Sequence, residues 1–349
     1  MTKELLTRAE CSVMRGIAIV GIVLHNYCHF MGFAVKENEY TFDASKPMML
    51  LDRLMAPDGN LFVHLLSFFG HYGVPVFLFV SGYGLVMKYE REGTPSVPTG
   101  RFIGYHYMKL LRLMFLGYIA FMVVSYAHPH GYHGYDFGRI VAQLFMFINF
   151  LPDPDHIIKP GPYWYFSLML QLYIVYRLFL YRAKSSLIVG MIVICWLVEE
   201  LCMQDFDSMN RVRYNFFGGM LPFGLGLLYA RHGQRPGKAM AWTLLLSSIV
   251  MVFCLGFWFQ GWLWCPLFVV VGAVAGAMLV PKRLAQPLVW VGNVSAAMFV
   301  VHPIMREIII PMSFRGDVYG GILVYVISTT LLSWAFHRLI RLIPSPRLK

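Results

Sequence analysis

Charge is what this chain of 349 residues has little of: only 13% of it is Asp, Glu, Lys or Arg, about half the share of a soluble domain. So few charges cannot cover a soluble monomer of this size. Long charge runs are missing as well, which excludes a disordered chain and a coiled coil. Cysteine is sparse and unpatterned. Cys11, Cys28, Cys195, Cys202, Cys254 and Cys265 are scattered, with no CxxC pair and no Cys/His ligand spacing, so neither a disulfide framework nor a structural zinc site is expected. The N-terminus, MTKELLTRAECSVMR, has no short apolar region ending in a small-residue cleavage site, and the first apolar run is read as a retained helix. No linker rich in Gly, Ser or Pro divides the chain, and no internal repeat is found. The expectation is one membrane domain over 1–349, with no appended soluble catalytic domain.

What is abundant is apolar sequence. Hydrophobic residues make up 58% of the chain and aromatic residues 16%, and the mean hydropathy is +0.59. A helix crossing the ~30 Å hydrocarbon core needs ~20 mainly apolar residues. Such runs lie near 14–34, 72–88, 106–127, 163–181, 186–203, 214–230, 239–258, 261–280, 287–310 and 319–337. The pattern predicts an all-α, polytopic helical bundle of about ten transmembrane helices with both termini on one side. Segments 58–70 and 137–150 are apolar with polar interruptions and read as interfacial or re-entrant.

The net charge of +11 invites a nucleic-acid reading until it is sorted by side. With the N-terminus cytoplasmic, 20 of the 29 Lys and Arg and only four of the 18 Asp and Glu fall inside. The inner face then carries +16 and the outer face −5. The basic count alone orients the bundle, and no nucleic-acid partner is needed to explain it.

Titratable groups at depth are costly, so they become functional candidates. In the first span, His25 stands ten residues after Arg15, ~15 Å along a helix and near mid-membrane. A histidine there suits general-base work; a hydrogen-bonded interhelical histidine is the competing reading. His29 lies one turn further on the same face. An i, i+4 histidine pair can bind metal, but no third ligand is evident, and no metal is expected. Pro75, Ser81, Gly82 and Tyr83 in the second span suit a kink and close helix packing. Lys109 and Arg112 open the third span, either as positive-inside anchors or as a cationic fork for a phosphorylated donor. Trp164, Gln171 and Tyr173 mark the fourth span, where Trp164 fits an aromatic belt or stacking against a sugar. Ser295 and His302 lie in the ninth. His128, His130 and His133 form a loose cluster in an outer loop.

Arg15 to His25, VPVFLFVSGY at 74–83, Lys109-x-x-Arg112, Trp164 to Gln171-x-Tyr173 and VGNVSAAMFVVHP at 291–303 occur in that order. Together they resemble the acyltransferase-3 family of integral membrane acyltransferases, over roughly residues 10–337. The resemblance implies an O-acyltransferase that draws an acyl group, most often acetyl, from cytosolic acyl-CoA. It implies transfer to a hydroxyl of a sugar, polysaccharide or lipid-linked glycan on the far side of the membrane. It further implies that His25 is catalytic, that Arg15, Lys109 and Arg112 serve the donor, and that Pro75, Ser81 and Gly82 are structural. Membrane lipids are the surrounding partner, and the expected location is the bacterial inner membrane.

Two departures stand out. The family spaces its arginine and histidine by ten residues, whereas nine intervene here and Asn26 takes the usual offset. At ~100° per residue, Arg15 and His25 then point ~80° apart on a regular helix. A π-bulge between Gly16 and Gly21 would realign them, and a cavity faced by Asn26 but not by His25 would remove the His25 assignment. A Glu pair found in some members before Gln-x-Tyr is here Met169 and Leu170. A polysaccharide or lipid exporter without transferase activity is the alternative from another class. It predicts matching broken helices in two halves, and Pro75 and Pro303 supply breaks without half-to-half similarity.

Overall fold

The structure, a computed structural model, describes residues 5–128 and 131–348; His130 of the loop cluster lies outside them. All regular elements among these residues are helical. In chain order they are α1 (Arg8–Cys28), α2 (Ser45–Met55), α3 (Leu61–Phe69), α4 (Gly73–Tyr89), α5 (Thr99–Ala127), α6 (Phe137–Leu144), α7 (Pro154–Ile157) and α8 (Trp164–Val175). There follow α9 (Ser185–Leu201), α10 (Phe206–Tyr214), α11 (Phe216–His232), α12 (Lys238–Leu255), α13 (Phe259–Leu279), α14 (Lys282–Phe314) and α15 (Val318–Leu342).

Among the described residues, seven helical runs are long and apolar enough to cross a membrane: α1, Leu61–Tyr89, α5, α12, α13, α14 and α15. Helices also stand at the other three expected spans. The 12 residues of α8 continue into a five-residue π-helix, Tyr176–Leu180, while α9 and α11 have 17 residues each. These are at the lower limit of ~17–25 residues for spanning. The chain is thus an all-α membrane protein.

Two expectations change. Segment 58–70 is not separate from the second span: α3 runs through a 3-10 turn, Gly70–Tyr72, straight into α4. Pro75 sits in the first turn of α4, where a missing N–H leaves little unpaired. The first span is also shifted. Its helix begins at Arg8 and ends at Cys28, six residues earlier at both ends than 14–34. Thr7 starts it with a capping box: its hydroxyl accepts from Glu10 N at 3.1 Å, and its own N–H donates to Glu10 Oε2 at 2.8 Å. His25 therefore lies in the last turn of α1.

The run GIAIVGIVL within α1 is apolar on every face, as befits a helix inside a bundle. α1 packs along α14 and also touches α3, α4, α13 and α15. Tyr325 Oη of α15 donates to Val23 O at 3.2 Å, and Tyr27 Oη bonds Ser313 Oγ of α14 at 2.8 Å. α4 and α11 cross at glycines: a Cβ on Gly82 would strike Phe223 O, and one on Gly226 would strike Phe79 O. The two backbones can approach this closely only because both side chains are absent.

Candidate functional site

The site is built where α1 ends. After Cys28 the chain makes tight turns through 29–34 and returns as a loop over the end of its own helix. Polar contacts fix that loop. Lys36 Nζ donates to Met31 O at 3.2 Å, Lys46 Nζ to Glu37 O at 2.7 Å, and Asn38 pairs with the backbone of Asp43 at 3.0 Å in both directions. Distant helices clamp it from outside: Trp262 Nε1 of α13 donates to Asn38 O at 2.8 Å, and Arg213 Nε of α10 to Glu39 O at 3.0 Å. Arg213 is itself held by Glu199 at 2.8 Å and lies 4.3 Å over the Trp262 ring.

The loop delivers two carboxylates to His25. Glu37 Oε1 is 3.8 Å and Glu39 Oε2 is 3.9 Å from His25 Nε2. The other ring nitrogen, Nδ1, lies 2.7 Å from Ser67 O of α3. A carbonyl oxygen can only accept, so Nδ1 carries the proton and the neutral ring keeps its lone pair on Nε2. His29 Nδ1 bonds Glu37 Oε2 at 2.9 Å, and the His71 ring lies 5.7 Å from that of His25. Burial pushes both carboxylates upward, with different outcomes. His25 once protonated, together with the hydrogen bond from His29, holds Glu37 below the usual carboxylate range, whereas Glu39, buried beside the Glu37 charge, is pushed up to about 8.

These groups open into a polar cavity of about 750 Å³. One wall is aromatic: Tyr40 stacks on Tyr214 at 4.0 Å, and the Trp164 ring meets each edge-on at 5.6 Å. Tyr214 Oη and Asn210 Nδ2 both donate to Asp155, at 2.5 and 2.6 Å. Lys36, Lys46, Lys159 and Arg306 share the lining with Glu37, Glu39, Asp155 and Glu307, so groups of both signs face the cavity. Behind the site, an apolar cavity of about 740 Å³ runs beside α1 from Met14 to Gly21 and Gly70. The two cavities lie on opposite sides of the α1–α4 contact: Gly21, Gly70 and Gly73 face one, while Ile22, His71 and Val74 face the other.

The residues singled out from the sequence separate into groups. His25, Asn26, His29 and Trp164 meet at the polar cavity. α1 is regular throughout, without the π-bulge that would align Arg15 with His25. Asn26 and His25 nonetheless both line the cavity, because its mouth is wide enough to take two adjacent positions. Asn26 Nδ2 donates to Ile22 O at 3.0 Å, and its Oδ1 accepts from Arg306 at 3.4 Å.

The other residues lie elsewhere. Arg15 donates to Ser12 Oγ at 3.1 Å, and Ser12 in turn reaches Asn293. Lys109 is exposed. Arg112 donates to Ile340 O, to Ile343 O at 2.6 Å and to Ser345 Oγ at 3.0 Å, closing the C-terminal end of α15. Ser81 Oγ donates to Phe77 O, and Tyr83 Oη accepts from the backbone of Leu5 and Leu6. Gln171 bonds Asn215 Oδ1 and the N–H of Phe216, which opens α11. The Tyr173 ring lies 4.1 Å from that of His106, tilted by 41°. Ser295 Oγ donates to Gly292 O, and the buried His302 bonds Met298 O. Of the loop histidines, His133 packs on Tyr126.

Sequence reasoning missed Glu37, Glu39, His71 and Arg306. A faint signal existed: an E-x-E pair within a dozen residues of a candidate histidine supplies carboxylates on a short tether.

A membrane helical bundle with an oriented, buried histidine facing a polar cavity defines a class of integral membrane proteins able to do proton-transfer chemistry. The acyltransferase-3 family model, described as an acyltransferase domain, matches residues 9–338. The chain belongs to that family. No curated protein and no solved structure gives a significant match.

Proposed function

We propose that the protein is a membrane-bound O-acyltransferase that uses acyl-CoA, with acetyl-CoA the favoured donor, to acylate a hydroxyl of a sugar, polysaccharide or lipid-linked glycan. The observation that carries the reading is the orientation of His25, whose Nδ1–H is spent on Ser67 O while Nε2 faces the cavity. In this scheme the acceptor hydroxyl gives its proton to Nε2 as its oxygen attacks the thioester carbonyl. The tetrahedral intermediate collapses, the C–S bond breaks, and the imidazolium returns the proton to the departing CoA sulfur. The Glu37 and Glu39 carboxyl groups beside Nε2 stabilise the imidazolium while it exists, the former as a charge.

The acceptor site in this proposal is the polar cavity. Aromatic faces beside hydrogen-bonding groups of both signs suit a hydroxyl-rich ring. The donor would come from the end of the bundle that carries the chain termini, its phosphates near Arg15 and Lys109. Arg112 could join only by giving up the α15 carbonyls. The proposal includes ten spans, cytoplasmic termini and a bacterial inner-membrane location, supported by the skew of basic residues.

The test is CoA release by purified protein supplied with acetyl-CoA and glycan acceptors. His25→Ala is expected to abolish release while its elution profile stays unchanged; full activity in that variant would overturn the reading. A radiolabelled acyl group trapped on His25 would replace direct attack with a two-step transfer.

A further inference from the structure

The histidine pair that lacked a third ligand in the sequence acquires one from the loop. His25, His29 and Glu37 each offer a ligand atom within 4.8 Å of the others. Glu37 spans the pair, with Oε2 2.9 Å from His29 Nδ1 and Oε1 3.8 Å from His25 Nε2. Zinc bonds of ~2.0–2.1 Å in a tetrahedron put neighbouring ligand atoms ~3.4 Å apart. With one ligand atom per residue the three lie within 4.8 Å of one another, so rotamer adjustments of up to ~1.4 Å would complete the geometry.

Three further features fit. The bond from His25 Nδ1 to Ser67 O is the kind of outer contact that orients a metal-bound imidazole. Glu39 Oε2, 3.9 Å from His25 Nε2, is placed to take the fourth position. The His29 side chain is 37% exposed, so its ring can carry its proton on the outer nitrogen and free Nδ1 for a metal. Two imidazoles and a carboxylate without thiolate suit borderline divalent ions over calcium, magnesium or copper(I).

We propose that His25, His29 and Glu37 form a site for a zinc-class divalent ion, and that its occupation silences acyl transfer by taking the Nε2 lone pair. The silencing half rests on the function proposed above; the binding half does not.

The test titrates untagged full-length protein with Zn²⁺ against a chromophoric chelator and, in parallel, follows CoA release. One zinc equivalent per chain is expected, and His29→Ala and Glu37→Gln should each weaken it at least ~10-fold, the least that even an outer-shell change costs at a zinc site. Zinc should inhibit wild-type transfer, EDTA should restore it, and the activity left in either variant should need at least tenfold more zinc for half-inhibition, by the same ~10-fold measure. A visible Co²⁺ spectrum, lost in both variants, checks the ligands independently of activity. Zinc binding unchanged by both substitutions would overturn the site. Zinc-bound protein with undiminished or raised transfer would overturn the silencing. A wild type that binds zinc through these residues yet transfers no acyl group would defeat the proposed function and leave the metal site standing.

Discussion

Gly70→Ala puts the geometry of His25 under a direct test. The added Cβ would lie 2.5 Å from Gly21 O and 2.6 Å from His25 Cβ, against ~3.5 Å for carbon atoms in contact. Both obstacles belong to α1, so α1 and the turn at Gly70 must part by ~0.9 Å. Ser67 lies on the same side of that gap as Gly70. The 2.7 Å contact from His25 Nδ1 to Ser67 O would therefore stretch to ~3.6 Å, beyond hydrogen-bond range. Without that anchor, Nε2 loses its fixed direction. A displacement of ~1 Å can cost ~10²-fold in rate, equivalent to ~2.7 kcal/mol of barrier. The assay is kcat for CoA release at saturating donor, measured on protein that elutes as the wild type does. Gly84→Ala is the control, since nothing lies within 4 Å of its added Cβ. Wild-type kcat in Gly70→Ala would refute the claim that the Ser67 contact aims the ring.

Arg112→Ala should destabilise the bundle by ~1.5–3 kcal/mol, the scale of a charged hydrogen bond, because it uncaps the carbonyls of α15; a thermal melt in detergent reads this, and Lys109→Ala should leave the melt unchanged. Glu90 and Arg231 form a buried bidentate pair at 2.9 Å for each bond. Glu90→Ala should cost ~1.5–3 kcal/mol, the scale of a charged hydrogen bond, because Arg231 keeps the Leu180 and Ala183 carbonyls, and the same melt reads it. Tyr214→Phe removes the bond to Asp155 that braces the aromatic wall, and it is expected to raise KM for the acceptor while leaving KM for acyl-CoA unchanged.

The helices were legible because hydrophobic runs of bilayer length have few other uses in a chain so poor in charge. Their ends were less so. The apolar run of the first span continues through Tyr27, Cys28, Phe30 and Met31, and hydropathy does not register that the backbone turns at His29. That shift puts His25 in the last turn of α1. The histidine itself could be picked out, as could Asn26, His29 and Trp164, because polar or amphipathic residues at span ends stand out against their surroundings. Glu37 and Glu39 could not be placed, since their position depends on Trp262 and Arg213, more than 170 residues away in sequence. Arg112 has contacts that an i, i+3 basic spacing does not disclose: it holds carbonyls near the far end of the chain.

The clamp on the first loop also sets an order of assembly. α1 leaves the ribosome first, but the groups that hold its loop are made 174 and 224 residues later. Contacts of such separation close late, and long chains fold as successive units during synthesis. During elongation, then, His25 is present without its carboxylate neighbours in place. The loop becomes ordered only when α10 and α13 have been made and docked, which ties the setting of His25 to completion of three-quarters of the bundle. A truncated product would hold the histidine and its helix, and lack the surroundings that give the imidazole its work.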